Sequence, residues 1–167
     1  MGNQIIKYGF MFIGLILTQV LILNHIQFSG YVNPYIYLLF VLLLPLSTPK
    51  YMVLLLAFSI GLTVDIFSNS LGIHSFATVF AAFFRPYVIR LITAREEDKS
   101  DYPGLKQNKF QWFISYVTIM VLIHHFVLFY IEVFTFTNFL LTLTRTFFSS
   151  LFSIFVIVLS QYIVFRD

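Results

Sequence analysis

The feature that most constrains this chain is a series of apolar runs long enough to cross a lipid bilayer. The first, residues 5–23, matches the ~20 residues that a helix needs to cross ~30 Å of hydrocarbon. Only 10% of the 167 residues are charged, whereas a soluble domain carries roughly 25%. A soluble domain of this size would lack the polar groups needed to cover its surface. The sequence therefore predicts an all-α integral membrane protein.

Six apolar runs predict a bundle of six transmembrane helices that forms a single domain. The predicted helices cover residues 5–23, 34–46, 51–67, 75–92, 110–131 and 139–165. A cleaved signal peptide is the competing interpretation of the first run, but its apolar core usually has only ~7–15 residues and precedes a small-residue cleavage site. Residues 24–28 contain no such site, so a retained helix is expected.

The basic residues predict the orientation of the bundle. Six helices place both termini on the same side of the membrane, and eight of the ten Lys and Arg residues fall on that side. The connections predicted on the opposite side, residues 24–33, 68–74 and 132–138, contain neither Lys nor Arg. Cytoplasmic loops retain an excess of these residues, so both termini are expected in the cytoplasm.

The residue types present argue against several functions. There is no cysteine, hence no disulfide framework, thiolate metal site or cysteine nucleophile. No long soluble segment carries a basic stripe, so nucleic acid is not an expected partner. The sequence contains no recognisable Ser/His/Asp set, carboxylate pair or Gly-rich phosphate loop. Neither a cofactor nor an enzymatic activity is therefore expected.

Two opposite charges lie inside apolar runs and are expected to form an ion pair. A charge in hydrocarbon costs at least ~2.5–3.5 kcal/mol on insertion scales, so each needs a partner. Ala57, Gly61 and Asp65 recur every four residues and share one helix face, and the two small residues allow a neighbouring helix to pack closely. Arg145 shares a face with polar residues of the sixth helix, which should point into the bundle. We therefore predict an Asp65–Arg145 pair that locks helices together or, in a second interpretation, serves transport or a proton relay.

Other polar side chains inside the runs are assigned to packing and to the membrane interface. Arg85 lies only about 10 Å of helix rise from the cytoplasmic end, so its guanidinium is expected to extend to that interface. His125 and Glu132 share a polar face of the fifth helix, a pattern typical of helix–helix packing. His124 and His125 point in different directions on a helix and lack further ligands, so no metal site is expected. His74 is interpreted as an ordinary residue of an outer loop.

The third apolar run and the residues after it contain a distinctive motif of small, apolar and acidic residues. The motif residues are Ala57, Gly61, Leu62, Asp65, Leu71 and Gly72. This region resembles the bacterial rod shape-determining protein family MreD, which has the pattern Gly-Phe-x-x-Gly-Leu-x-x-Asp and then Leu-Gly at the start of the next helix. Ala57 replaces the first glycine of that pattern with another small residue. We assign Ala57, Gly61 and Gly72 to helix packing.

The resemblance implies a non-enzymatic part of the cell-elongation machinery, which supports lateral peptidoglycan synthesis and cell shape. Members of the family sit in the bacterial inner membrane with the single-span protein MreC, the actin-like MreB filament, and a peptidoglycan glycosyltransferase and transpeptidase. A chain of this kind would act as a scaffold, because its lipid-facing surface can accept the helix of an MreC-like partner. Contacts with the filament and the enzymes would be indirect.

The resemblance leaves a second function and the role of one loop open. The family's fold is thought similar to the substrate-binding subunits of energy-coupling-factor vitamin transporters, so a small-molecule (vitamin) binding subunit is the alternative. Such a subunit needs a polar cavity on the outer side, and the short outer loops offer few groups for one. The loop 93–109 is either a cytoplasmic handle for other proteins or a solvated connector near anionic headgroups.

Overall fold

Helices make up most of the computed structural model, which describes residues 2–26, 32–70, 72–93, 101–134 and 138–163. The helices are α1 (Gly2–Leu21), α2 (Leu38–Leu43), α3 (Lys50–Ser68), α4 (Ile73–Ile92), α5 (Phe110–Val133) and α6 (Phe139–Ile163), and a short 3₁₀ turn, Leu23–His25, follows α1. Five helical segments of the described part, all except α2, are long and apolar enough to cross a membrane. The prediction of a helical, multi-pass membrane protein is confirmed at this level.

Long-range hydrogen bonds define two ends of the bundle. At one end, called the proximal end, the indole nitrogen of Trp112 in α5 donates to Thr93 Oγ1 just after α4 (3.1 Å). At the opposite, distal end, Asn24 Nδ2 just after α1 donates to Ser68 Oγ at the end of α3 (3.0 Å). The starts of α1, α3 and α5 and the ends of α4 and α6 therefore lie at the proximal end.

The five long helices follow one another as neighbours in the order α1, α3, α4, α5 and α6, and α2 packs among them. Helix α2 contacts α1, α3, α4 and α5, and its apolar side chains are almost completely buried. The long helices carry many exposed Leu, Ile and Phe side chains, as expected of surfaces that face lipid. The core of the bundle is thus centred on its shortest helix.

The predicted second transmembrane helix, residues 34–46, is wrong in its form. Residues 33–36 are not helical, α2 has six residues, and the chain leaves the helical conformation at Leu44 (ψ 140°). The following Pro45 explains this exit, because a proline disfavours helical angles in the residue before it. Non-helical backbone at membrane depth is tolerated only where protein surrounds it, and here the long helices do. Residues 33–44 are called the central segment below.

The other predicted helices agree with the structure to within about three residues at each described end. Helix α4 continues through Pro86 to Ile92, so the proline does not end it. Residues 164–165, which were assigned to the sixth helix, lie outside the described residues. Long apolar runs with polar ends were sufficient to place these elements.

Residues 101–109 are fastened to the proximal end by hydrogen bonds, and both interpretations of the loop 93–109 stay open. Leu46 N donates to Asp101 O (2.8 Å), Gln4 Nε2 to Tyr102 Oη (2.6 Å) and Leu105 N to Gln161 Oε1 (3.3 Å). The segment thus joins α1, α6 and the chain that follows the central segment. Residues 94–100 of the predicted loop 93–109 lie outside the described residues.

Candidate functional site

The α3–α4 junction, where these two helices pack closely, is built around the carboxylate of Asp65, which is 2% exposed. Its Oδ1 accepts hydrogen bonds from Ser70 Oγ (2.6 Å) and from the backbone N–H of His74 (3.0 Å). Its Oδ2 accepts from the N–H (2.8 Å) and the hydroxyl (2.5 Å) of Ser75. The first N–H groups of a helix lack intrahelical partners, and the helix dipole favours a negative charge beside them. Asp65 of α3 therefore caps α4.

Gly61 lies where α3 and α4 come very close together. A Cβ atom at this position would lie 2.6 Å from Ser75 Cα and 2.8 Å from His74 O, so a larger residue would force the two helices apart. Ala57, one turn earlier, is fully buried. The two small residues thus occupy the helix face that packs closely, which is the role that their spacing suggests.

Gly72 has a conformational role instead of the expected packing role. It precedes α4 with φ +82°, a backbone conformation that residues with a side chain rarely adopt. No atom lies within 4 Å of the position that its Cβ would take. Glycine is therefore needed at this position because it adopts the turn that brings the start of α4 to Asp65.

The predicted Asp65–Arg145 ion pair is wrong. Arg145 instead binds Glu132 at the end of α5 through two contacts, Nη1–Oε2 (3.1 Å) and Nη2–Oε1 (3.2 Å). Its guanidinium carbon also lies 4.4 Å from the centre of the Phe129 ring. The order of the helices gives the reason, because α6 packs beside α5 whereas Asp65 belongs to α3. Asp65 is thus held by α4 and Arg145 by α5, and Glu132 joins α5 to α6 through this ion pair.

Arg85 points into the bundle, which disagrees with the expected extension to the membrane interface. The residue is only 4% exposed. Its Nε donates to Tyr116 Oη (2.9 Å) and its Nη2 donates to the carbonyl oxygen of Leu44. Tyr116 in turn donates to Leu42 O (3.2 Å). The last carbonyl oxygens of a helix receive no hydrogen bond from within the helix. Arg85 and Tyr116 supply donors to two such oxygens at the end of α2.

Gln19 of α1 holds the other end of the central segment. This side chain is fully buried. Its Oε1 accepts from Ile36 N (2.8 Å), and its Nε2 donates to Pro34 O (3.1 Å) and to Asn24 Oδ1 (2.8 Å). Sequence reasoning missed Gln19, although a lone glutamine within the first apolar run was an available signal. The glutamine is needed there because its buried amide forms hydrogen bonds with the non-helical backbone of the central segment.

Two serines of α6 hold the same end from the opposite side. Ser149 Oγ accepts from Asn33 N (3.1 Å), and Ser153 Oγ accepts from Tyr35 N (2.8 Å). These serines belong to the polar face of the sixth helix that was expected to point inward. The backbone of the central segment is thus bonded to side chains of α1 and α6, as buried non-helical backbone requires.

Three histidines and one tyrosine form a buried series of polar contacts, called the His–Tyr chain: His125, His124, Tyr37 and His74. Tyr37 Oη lies 2.8 Å from His124 Nε2 and 3.0 Å from His74 Nδ1. The Nδ1 atoms of His124 and His125 are 3.4 Å apart. His74 is therefore a buried residue in the first turn of α4, which corrects its interpretation as a loop residue. The His–Tyr chain connects α5, the central segment and α4.

The contacts of the His–Tyr chain assign its protons. The carbonyl of Val121 can only accept, so His125 Nδ1, 3.0 Å away, carries a proton. His124 Nδ1 then faces a donor and accepts, which places the proton of His124 on Nε2, toward Tyr37. Because the hydroxyl oxygen of Tyr37 accepts from His124, its own proton can be donated to His74 Nδ1. With Ser153 Oγ donating to His125 Nε2 (2.8 Å), all three imidazoles are neutral in this assignment, and the remaining donors of His124 and Tyr37 point toward α4.

The neutral assignment favours a structural role for the His–Tyr chain. Buried polar groups that satisfy one another rigidify a core and fix one arrangement of its helices. In the described ranges, no group of three or more His, Cys, Asp or Glu residues is arranged to hold a metal ion. The chain is therefore best explained as a polar connection between α5, the central segment and α4.

A polar cavity of about 340 Å³, called the distal cavity, opens at the distal end. It is lined by Val20, Leu23, Asn24, His25, Asn33, Pro34, Tyr35, Phe67, Ser68 and His74. The short outer loops were expected to offer few polar groups here. The distal cavity nevertheless contains polar groups, because several separate segments of the protein each contribute one or two polar side chains. One end of the His–Tyr chain, His74, reaches this cavity.

Comparisons with protein-family models, with curated proteins and with solved structures give no match to this chain. The resemblance to the MreD family therefore stays a prediction. It rests on Ala57, Gly61, Leu62, Asp65, Leu71 and Gly72, of which Leu71 lies outside the described residues.

Proposed function

We propose that this chain is a non-enzymatic membrane scaffold of the cell-elongation machinery in a rod-shaped bacterium. The observation that carries the proposal is the α3–α4 junction. Gly61, Asp65 and Gly72, through which the sequence resembles MreD, all serve this one junction: close approach, helix capping and a tight turn. The motif thus builds a rigid bundle, which is what a protein that holds partners requires.

The partner expected from the resemblance is a single-span MreC-like protein, and α1 offers a face for its helix. Helix α1 packs chiefly against α3 and α2, and an apolar stripe on its opposite side is exposed. The stripe consists of Ile6, Phe10, Ile13, Leu17 and Leu21. Gly9 and Gly14 of the same helix have open space around them. Small residues beside large apolar ones allow a second helix to pack closely in a membrane.

The proposed orientation in the bacterial inner membrane has both termini in the cytoplasm. Basic residues of the described part support it, since Lys7, Lys50, Arg90, Lys106 and Lys109 all lie toward the proximal end. The described connecting residues of the distal end carry neither Lys nor Arg. Retention of basic residues in the cytoplasm supports a cytoplasmic proximal end, where filament-associated proteins could reach residues 101–109.

Purification of the tagged chain from native membranes in mild detergent tests the scaffold proposal. We expect a single-span protein with a large periplasmic domain to co-purify. Phe10→Ala with Leu17→Ala should reduce its recovery, whereas Leu55→Ala with Phe58→Ala, on the exposed side of α3, should not. Depletion of the chain should round the cells. Rod-shaped cells after depletion, with no co-purifying single-span protein, would contradict the proposal.

A second candidate function, a small-molecule (vitamin) binding subunit of a transporter, is favoured by the distal cavity. Its polar groups include Asn24, Asn33, Ser68 and His74, and ligand sites typically combine an apolar wall with a few polar groups. Binding measurements with a panel of water-soluble vitamins test this alternative. Saturable binding that Asn33→Ala abolishes would support it, and absence of binding across the panel would contradict it.

A further inference from the structure

A cavity of about 310 Å³, called the proximal cavity, lies between α3 and α4 at the proximal end. Its lining residues are Leu46, Thr48, Lys50, Val53, Leu54, Ala82, Phe83, Arg85, Pro86, Tyr87, Ile89 and Arg90. Three of these are cationic and none is acidic. The cavity therefore combines a positive end with apolar walls.

The positive charges of the proximal cavity lack described acidic partners. Lys50 begins α3, Arg90 lies in the last turn of α4, and Arg85 lies deeper between them. Within the described ranges, the ion pair that the structure contains joins Arg145 to Glu132 at the other end of the bundle. These positive charges repel one another, more strongly at the buried Arg85 than at the exposed Lys50 and Arg90. An anion in the cavity would offset this repulsion.

The start of α3 adds to the positive potential. No side chain caps this helix, whose N-cap is Pro49. The first N–H groups of any helix lack intrahelical acceptors, here no capping side chain replaces them, and the helix dipole places partial positive charge there. The hydroxyl of Thr48 lies in the same lining. Cationic side chains, a hydroxyl and free N–H groups together match the chemistry of a phosphate group.

The apolar walls indicate that the ligand also has a hydrophobic part. Phe83 and Tyr87 line the cavity and are also 53% and 51% exposed on the outer surface of α4. Leu54 of α3 also lines the cavity. The cavity thus borders the surface that contacts lipid, and its charged end lies within the first and last turns of membrane-crossing helices. This is the depth at which lipid headgroups lie.

We propose that the proximal cavity binds an anionic phospholipid, with its phosphate near Lys50 and Arg90 and an acyl chain along Leu54 and Phe83. Arg85 contributes charge from below while it caps the central segment. Basic pockets between membrane helices are suited to anionic headgroups. A soluble phosphate shares the headgroup chemistry but would leave the apolar walls without a partner, so the lipid is the better match. This site is independent of the proposed scaffold function.

Native mass spectrometry and thermal unfolding of the full chain test this proposal. The purified protein is placed in phosphatidylcholine nanodiscs with increasing phosphatidylglycerol. We expect retained phosphatidylglycerol and a rising melting temperature for the wild type. Lys50→Gln with Arg90→Gln should weaken this preference by roughly tenfold, because each basic group near an anionic lipid contributes appreciably. Both residues are exposed, so the variant should still fold.

The matched control is Lys106→Gln with Lys109→Gln, which removes the same charge from exposed positions of the same end. This control should keep the lipid preference. Equal losses in both variants would overturn the site and indicate only a general attraction to the charged surface. Inorganic phosphate in phosphatidylcholine nanodiscs should not reproduce the stabilisation. If it does so fully, a soluble phosphate is the ligand and the lipid assignment is overturned.

Discussion

Asp65 and Arg145 show how single charges are retained inside this bundle. The carboxylate is surrounded by two hydroxyls and two backbone N–H groups at the start of α4. The guanidinium is held by a carboxylate of the neighbouring helix and by an aromatic ring. A sequence shows that a buried charge needs a partner, but not which helix will be beside it. That is why the two charges were foreseen as inward-facing and yet assigned to each other.

A charge exchange distinguishes the observed pair from the one first expected. Arg145→Ala should lower the free energy of unfolding by about 1 kcal/mol, because the pair is partly exposed and such pairs contribute modestly. Glu132→Arg with Arg145→Glu should recover most of this loss in thermal unfolding. Asp65→Arg with Arg145→Asp should not. Recovery by the second exchange alone would contradict the structure.

The hydroxyl of Tyr37 joins two buried imidazoles, those of His74 and His124. Tyr37→Phe removes it and leaves ring nitrogens of His74 and His124 without their partner. An unsatisfied buried polar group costs about 1–3 kcal/mol, so the variant should unfold at a clearly lower temperature. Tyr51→Phe, at an exposed position, is the control and should behave as wild type. Equal stability of both variants would show that the His–Tyr chain contributes nothing.

At the scale of elements, the sequence was most informative about α3 to α6 and least about the central segment. Long apolar runs place helices well, because a helix satisfies its own backbone in lipid. The central segment obeys a different rule, since its backbone is satisfied by Gln19, Ser149 and Ser153 from other helices. Such contacts join residues far apart in the sequence, so the local sequence pattern does not predict them. For the same reason the His–Tyr chain was not foreseen.

The closeness of α3 and α4 predicts different effects for glycines in different helices. Gly61→Ala would bring a Cβ within 2.6 Å of backbone atoms of α4, so it should destabilise the bundle by about 1–3 kcal/mol. Gly14→Ala in α1 meets no atom within 4 Å and should be neutral or stabilising, because alanine favours a helix. Thermal unfolding in one detergent measures both. The reverse order of stability would contradict the observed helix packing.

In the described part of the chain, five long helices surround a half-extended central segment, and α3 to α6 run alternately away from and toward the proximal end. This alternation makes the orientation testable. Reporter fusions after Asn69 should behave as external, and fusions after Asp101 as cytoplasmic, because basic residues gather at the proximal end. A fusion after Glu132, at the other end of α5, should also behave as external. A cytoplasmic signal after Asn69 would reverse the proposed orientation.

The proposed scaffold function requires that the bundle holds a partner helix on the outer face of α1. Site-specific photo-crosslinking in living cells tests it most directly, with the photoreactive residue at Phe10 or Leu17 and, as controls, at Leu55 or Phe58 of α3. All four positions are exposed and apolar, so lipid alone would treat them alike. We predict one crosslinked product with a single-span protein from the α1 positions and none from α3. Equal labelling from both helices, or no protein product from α1, would contradict the account.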